Sequence, residues 1–334
     1  MPLLAPVINP SPDVGAFPAI KSYVIVVLGG MGSIWGAMIA AGSEPLPNPR
    51  GTAPGIWMSL TRGDGRQCLI AAMPGVPSEM RQMYRQQVVP RLDGGGKVIR
   101  RARINCFGAG ESQAEEMLGE LTARGRDPDV GITVHEATIT LRITAEGQSP
   151  EECRDKIEKT RLAIINRMGT LVFGSEDEEL EHALIRLLNQ RRASLSTAES
   201  GTGGLLSYRL TGVSGYDTCY KGGVVVPTHA AKRDMLSVDP MLLRSYGDIS
   251  SEAAEAMAQG CRQKFGTNFA LAITEWADFK ADDPFAAVPA SFVALAGPKV
   301  VQVEKVQHFG DPEIAKSRTA KTAMNMLRLH LIGG

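Results

Sequence analysis

The segment Ser196-Thr-Ala-Glu-Ser-Gly-Thr-Gly-Gly204 constrains the fold more than any other. A short run of small, strand-compatible residues meets a glycine turn and then enters an apolar helical pattern. That order is a strand–turn–helix unit of an α/β layered domain. Its surroundings repeat the alternation. A helix over 178–191 precedes the strand SLSTAES, and GGVVV is the next strand. Ala230 to Leu236 is helical. Ser250 is the N-cap expected for a helix with Ala254, Met257, Ala258, Cys261 and Phe265 on one face. FALAIT, SFVALA and VVQVEKV are strands, and Ala315 to Leu331 is a closing amphipathic helix. The glycine turn aims backbone N–H groups at one point, a seat for a phosphate, a carboxylate or an oxyanion. The plainer alternative is an ordinary turn with Ser200 or Thr202 as N-cap.

The preceding residues read as two smaller units. From Lys97 to Phe173 the order is β-α-β-β-α-β or close to it, a small α+β unit. VIRRARINCFG and ATITLRITAEG alternate with period two. The first helix spans Glu111 to Arg124, closed by Gly125, and Ser149-Pro-Glu-Glu starts the second. Within 43–92, SEPLPNPRGTAPG is a turn or loop and CLIAAM a buried strand. Ser78 is placed to cap a helix from Glu79 to about Leu92. Asp93-Gly-Gly-Gly96 links the two units.

The chain balances 36 Lys+Arg against 36 Asp+Glu. That balance argues against bulk attraction to nucleic acid or to a polybasic-binding membrane surface. The five cysteines form no CxxC pair and the five histidines no HExxH spacing, so no metal or cofactor is expected. A reducing cytoplasm is the simpler setting. Trp35, Trp57 and Trp276 read as packing residues, and Cys219 as an unreactive thiol.

Tyr23 to Gly42 carries no charge and has roughly the length needed to cross a bilayer. FPAIKSYVIVVLGGMGSIWGAMIAA resembles a segment of branched-chain amino-acid ABC transporter permeases, over residues 2–41. With no second stretch of this kind, transport is not the expectation. The segment reads as a fusion scar or misplaced start; the alternatives are a membrane anchor or a buried apolar element.

The turn itself carries a second resemblance. TAESGTGGLL is similar to the TAES-C-TGG signature of the CinA family of competence/damage-inducible proteins. VSGYDTCYKGGVVVPTHAAKRDMLSV follows the family's next block in register. PLPNPRGTAPG, PGVPSEM, FGAGES and RGRDPDVGITVHEATITLRITAEG match earlier blocks, so the resemblance covers about 43–331. It implies a multidomain α/β chain in four segments. Residues 1–42 are the permease-like segment and 43–92 the tail of a molybdopterin-biosynthesis-type domain. Residues 97–173 are a KH-like α+β domain and 177–331 an α/β layered amidase-like domain. The first domain's own phosphohydrolase activity is not expected from so short a remnant. The KH-like unit shows no GxxG loop between basic helices, so RNA binding is not expected either.

For 177–331 the resemblance implies a nicotinamide-nucleotide amidase, which hydrolyses the carboxamide of nicotinamide mononucleotide and releases ammonia. A nucleotide of that kind is the implied small-molecule partner, and self-association the implied state. Family catalysis resembles a Ser/Lys mechanism assisted by a Tyr, in which an amine deprotonates a hydroxyl. Lys232 occupies the lysine position. Asp217 occupies the serine position and Pro227 that of the tyrosine; the signature cysteine is Gly201. Ser200 is the remaining candidate nucleophile, and His229 a lone loop histidine that could replace the missing base. Thr202, Gly203, Gly204, Gly222, Gly223 and Thr274 are the implied substrate-binding residues. The family's Thr-Gly-Ile-Ala-Gly-Pro loop reads Thr274-Glu-Trp-Ala-Asp-Phe279, and a Gly-Thr has become Pro289-Ala290. An Asp217–Lys232 ion pair is expected in place of a nucleophile and its base. The activity is therefore expected to be weak or lost; the alternative is a member that binds a nucleotide or protein partner without catalysis.

Overall fold

A computed structural model describes residues 24–28, 43–92, 96–275, 289–308 and 311–333. The rest of the permease-like segment and most of the 275–290 loop, with Trp276 and Asp278, lie outside the described residues. The chain divides into two units, Met1–Val98 and Ile99–Gly334.

The first unit holds a four-stranded sheet of order β1-β4-β3-β2. Its strands are β1 (Val24–Leu28), β2 (Glu44–Leu46), β3 (Gly55–Thr61) and β4 (Gln67–Pro74). Part of the apolar N-terminal stretch is thus a strand, parallel to β4. The expected loop contains β2, and β3 carried no strand expectation. Helix α1 (Pro77–Met83) starts at Val76 without a side-chain cap, so Ser78 lies inside it rather than capping it. No helix of the described residues is long and apolar enough to cross a membrane.

The second unit contains two sheets. The smaller has order β6-β7-β5-β8, from β5 (Val98–Cys106), β6 (Asp129–His135), β7 (Thr138–Gly147) and β8 (Val172–Ser175). Helices α2 (Glu111–Leu118) and α3 (Pro150–Met168) complete the β-α-β-β-α-β order. Ser149 caps α3 through the Glu152 N–H. Helix α2 stops short of Gly125, because Gly119 takes a φ of 52° and a 3-10 turn follows. Ile104, Cys106, Leu141, Ile143, Leu118 and Ile164 form the core on the helical side of this sheet.

The larger sheet has order β10-β9-β11-β12-β13. Strands β9 (Leu195–Glu199), β10 (Tyr220–Val225) and β11 (Phe269–Ile273) are parallel; β12 (Ala290–Ala296) and β13 (Val301–Gln307) are antiparallel additions. Alternation along β11 explains the layers. Leu271 and Ile273 pack with Leu184, Leu206 and Leu327 from α4 (Leu180–Arg191), α5 (Leu205–Thr211) and α9 (Pro312–Gly333). Ala270 and Ala272 face the opposite way, toward Met257, Ala258 and Cys261 of α8 (Ser251–Phe265). Small side chains on that face let α8 approach closely. Its Gly260 leaves no room for a Cβ, which would fall 2.0 Å from the Leu236 carbonyl oxygen. Helices α6 (His229–Leu236) and α7 (Pro240–Tyr246) precede α8, and α7 carried no helix expectation.

Helix α9 departs from the expected amphipathic pattern. Its polar residues Thr319, Lys321, Asn325 and Arg328 are buried along with its apolar ones. The smaller sheet and its turns cover that side. Lys321 Nζ lies 2.7 Å from Thr138 Oγ1, and Arg328 donates to the carbonyls of Thr170 and Val172.

Candidate active site

The candidate site lies where the three parallel strands of the larger sheet end. From β9 the chain passes through α5 to β10 on one side. From β10 it returns through α6, α7 and α8 to β11 on the other. Such a reversal opens a crevice beside the central strand's carboxyl end, the usual ligand position in parallel α/β sheets.

The glycine turn fills that position, but its donors are largely occupied. Ser200 N–H donates to the Ile273 carbonyl and Gly201 N–H to that of Thr274. Gly203 N–H donates to Ser200 and Leu205 N–H to Thr202. Gly203 and Gly204 adopt φ of 62° and 100°, and Gly204 is the N-cap of α5, a position expected for Ser200 or Thr202. The anion at the start of α5 is the chain's own Glu199. This carboxylate is fully buried and accepts from the N–H groups of Leu206 and Ser207, each at 2.9 Å. The hydroxyls of Thr202 and Ser207 also donate to it, each at 2.7 Å. Four donors compensate the burial of this carboxylate. The N–H groups of Leu206 and Ser207 are thereby taken by a protein side chain.

Ser200 is 6% exposed, and its Oγ donates to the Val226 carbonyl at 2.7 Å. Lys232 reaches the site from α6, completely buried. Its Nζ donates to Asp248 Oδ1 at 2.6 Å and to Glu275 Oε1 at 3.1 Å. The other Asp248 oxygen lies 2.5 Å from His229 Nε2. Burial raises the Asp248 pKa, but the Lys232 and His229 hydrogen bonds and charges outweigh it and hold the carboxyl below its ordinary 3.8.

This arrangement corrects the expected pairing. Asp217 sits exposed in a 3-10 turn, Tyr216–Thr218, and makes no ion pair among the described residues. The partners of Lys232 are Asp248 and Glu275. His229 is not a lone histidine, since Asp248 holds it. Pro227 is exposed at the end of β10. Cys219 is buried beneath the Tyr216 carbonyl, and burial pushes its thiol pKa up.

The remaining implied binding residues have packing roles in this structure. Gly222, at φ 128°, faces the Phe265 ring, and an added Cβ there would lie 3.0 Å from it. A Cβ on Gly223 would lie 2.1 Å from Thr197 Oγ1 and 2.6 Å from the Tyr220 hydroxyl. Thr197, Tyr220 and Ser207 form a compact hydroxyl group that ends on Glu199. Thr274 uses its hydroxyl to accept from the Phe292 N–H and to donate to the Glu275 carbonyl. Neither Asp248 nor the hydroxyl group was singled out in the sequence. The only local signal was polar residues beside a predicted turn or strand end.

Fold and site together define a class: a KH-like α+β unit joined to a three-layer α/β domain whose candidate site lies at the carboxyl end of its central parallel strands. The model of the CinA C-terminal domain matches residues 177–331, and that of the damage-inducible protein CinA KH domain matches 101–174. A competence-damage inducible protein of Thermoanaerobacter pseudethanolicus is 34% identical over 89% of this chain and 71% of its own length. A CinA-like protein of Acidobacterium capsulatum is 30% identical over 89% and 72%. The solved structure of the competence/damage inducible protein CihA from Agrobacterium tumefaciens covers 46% of this chain and 93% of its own. Its identity is 30% and its TM-score 0.41. The chain belongs to the CinA family.

Proposed function

We propose that the C-terminal domain keeps the framework of a nicotinamide-nucleotide amidase without its hydrolytic step. The observation that carries this reading is Lys232 itself. A general base needs a free lone pair directed at the nucleophile. Here the amine is buried and donates to two carboxylates. Among the described residues no hydroxyl replaces them as its partner: Asp217 stands at the implied nucleophile position, and the Ser200 hydroxyl proton is directed at the Val226 carbonyl.

Ammonia release from nicotinamide mononucleotide by the full chain tests this reading. The expected result is release no faster than in protein-free buffer. The double variant Asp217→Ser with Pro227→Tyr restores the implied hydroxyls, and adding Glu275→Gln frees one side of Lys232. Gain of ammonia release in the triple variant supports an intact but silent framework. Sustained turnover by the unaltered chain would overturn the reading and assign the nucleophile to Ser200.

A further inference from the structure

The smaller sheet of the second unit has one face packed under α2 and α3, while the other bears a cavity of about 550 Å³. Arg101 and Arg103 enter it from β5, Arg142 and Thr140 from β7, and Thr133 from β6. Glu176 stands at the rim. None of these residues belongs to the site at the end of β9.

The charges in this cavity do not balance. Arg103 is satisfied, 2.7 Å from Asp177 Oδ1 and 3.6 Å from Glu176 Oε2. Arg101 and Arg142 have no carboxylate partner among the described residues. Two unpaired guanidiniums facing one concavity repel each other, and the repulsion is relieved when an anion lies between them. The floor beneath them is a fixed polar surface. Asn105 is 5% exposed and donates to the carbonyls of Glu176 and Glu178 at 3.0 and 2.9 Å. Its Oδ1 accepts from Thr140 Oγ1 at 3.0 Å, and Thr133 Oγ1 reaches the Thr140 carbonyl. The strands carrying the arginines are therefore braced before any ligand arrives.

We propose that this face binds a small, hydroxyl-rich phosphate monoester, with its phosphate held between Arg101 and Arg142. The sign matches: three arginines against Glu176 and Asp177 leave one positive charge in excess, and a monoester carries between about −1.5 and −2 near neutral pH. Guanidinium forks suit phosphate oxygens. The cavity volume lies in the range of small-molecule sites, about 300–1,000 Å³, and is more than a bare phosphate fills. Among the described residues the lining supplies threonine hydroxyls and no aromatic ring, which favours a sugar over a base that stacks.

Isothermal titration of ribose 5-phosphate into the full chain tests the proposal, with ribose, inorganic phosphate and a short single-stranded RNA as separate titrants. Arg101→Ala and Arg142→Ala should each weaken ribose 5-phosphate binding about tenfold or more, the loss of one charge-assisted contact. Both side chains are exposed, so the variants should keep the parent's thermal transition. Neither arginine belongs to the site at the end of β9, so loss of binding in these two variants separates this cavity from that site. Arg142→Lys should fall between parent and alanine. Absence of binding, or binding unmoved by both alanine variants, overturns the proposal. Equal affinity for inorganic phosphate overturns the monoester assignment. Tighter binding of the RNA, lost in the same two variants, overturns it in favour of a nucleic-acid surface.

Discussion

Arg209 Nη2 lies 2.5 Å from Glu136 Oε2, and both groups bond the hydroxyl of Ser317 at 2.8 Å. Glu136 is the tip of the β6–β7 hairpin, where it and Ala137 take positive φ. Arg209 belongs to α5 and Ser317 to α9. The KH-like unit therefore grips the helix whose first turn holds Glu199, eight residues before Ser207 bonds it.

That grip predicts unequal costs for its two ends. Arg209 is 14% exposed and also faces Glu181, itself 9% exposed, so Arg209→Ala strands two carboxylates. A loss of about 2–3 kcal/mol in urea unfolding is expected. Glu136 is 39% exposed, and screening reduces Glu136→Ala to about 1 kcal/mol. The Ser317 hydrogen bond, opposed by burial and joined by Arg209, holds the Glu136 carboxyl below its ordinary 4.5. Its contribution is thus complete above pH 4.5 and fades as pH falls through the lower folded value. Parent and Glu136→Ala should converge in stability there. A constant gap from pH 7 to 3 would show that the charge contributes nothing.

Glu199 predicts a sharper effect from a smaller change. Glu199→Gln preserves shape but turns an amide NH₂ toward donors already aimed at oxygen. With the residue fully buried, a cost of about 1–3 kcal/mol is expected. Hydrogen exchange should speed at the Leu206 and Ser207 amides before it does elsewhere in α5. Unchanged protection at both amides would mean that the carboxylate does not hold the turn.

How much of this was legible beforehand depended on the distance between partners. The strand–helix alternation after residue 177 and the Ser149 and Ser250 caps follow from neighbours within a few residues, and the structure has them. The α8 face of Ala254, Met257, Ala258 and Cys261 is buried as its spacing required, with Phe265 partly so. Lys232 is different. Its partners lie 16 and 43 residues away, beyond any local pattern, whereas the expected Asp217 pairing rests on the family register alone. The polar side of α9 misled for a related reason. Lys321 and Thr138 are 183 residues apart, and polarity looked like solvent exposure when it marked a second domain.

Gly223→Ala tests whether the glycine is needed for packing rather than for a ligand. The new methyl would meet Thr197 Oγ1 and the Tyr220 hydroxyl. A destabilisation of about 1–3 kcal/mol is expected from overpacking. Thr197→Ala removes the nearest atom, so the Gly223→Ala, Thr197→Ala double variant should be more stable than the sum of the single changes implies. Strict additivity in thermal or urea unfolding would place the clash elsewhere.

Lys232→Met separates the structural part of Lys232 from any chemistry. The substitution keeps the buried volume but leaves Asp248 and Glu275, 26% and 30% exposed, without their shared cation. Partial exposure moderates the cost to about 1–3 kcal/mol at neutral pH. In the parent, Asp248 titrates below 3.8, so the stabilisation is complete above that value and is lost as pH falls through the folded pKa. Removing the lysine takes away the first of the influences that lower it. Burial then dominates, and Asp248 should titrate at higher pH, followed through its side-chain carboxyl carbon by NMR. His229 remains beside the other oxygen, and His229→Gln on the same background should raise the Asp248 pKa further. An Asp248 titration unmoved by Lys232→Met would show that the amine does not engage it in solution, and the reading of Lys232 as a fixed, non-catalytic cation would fall with it.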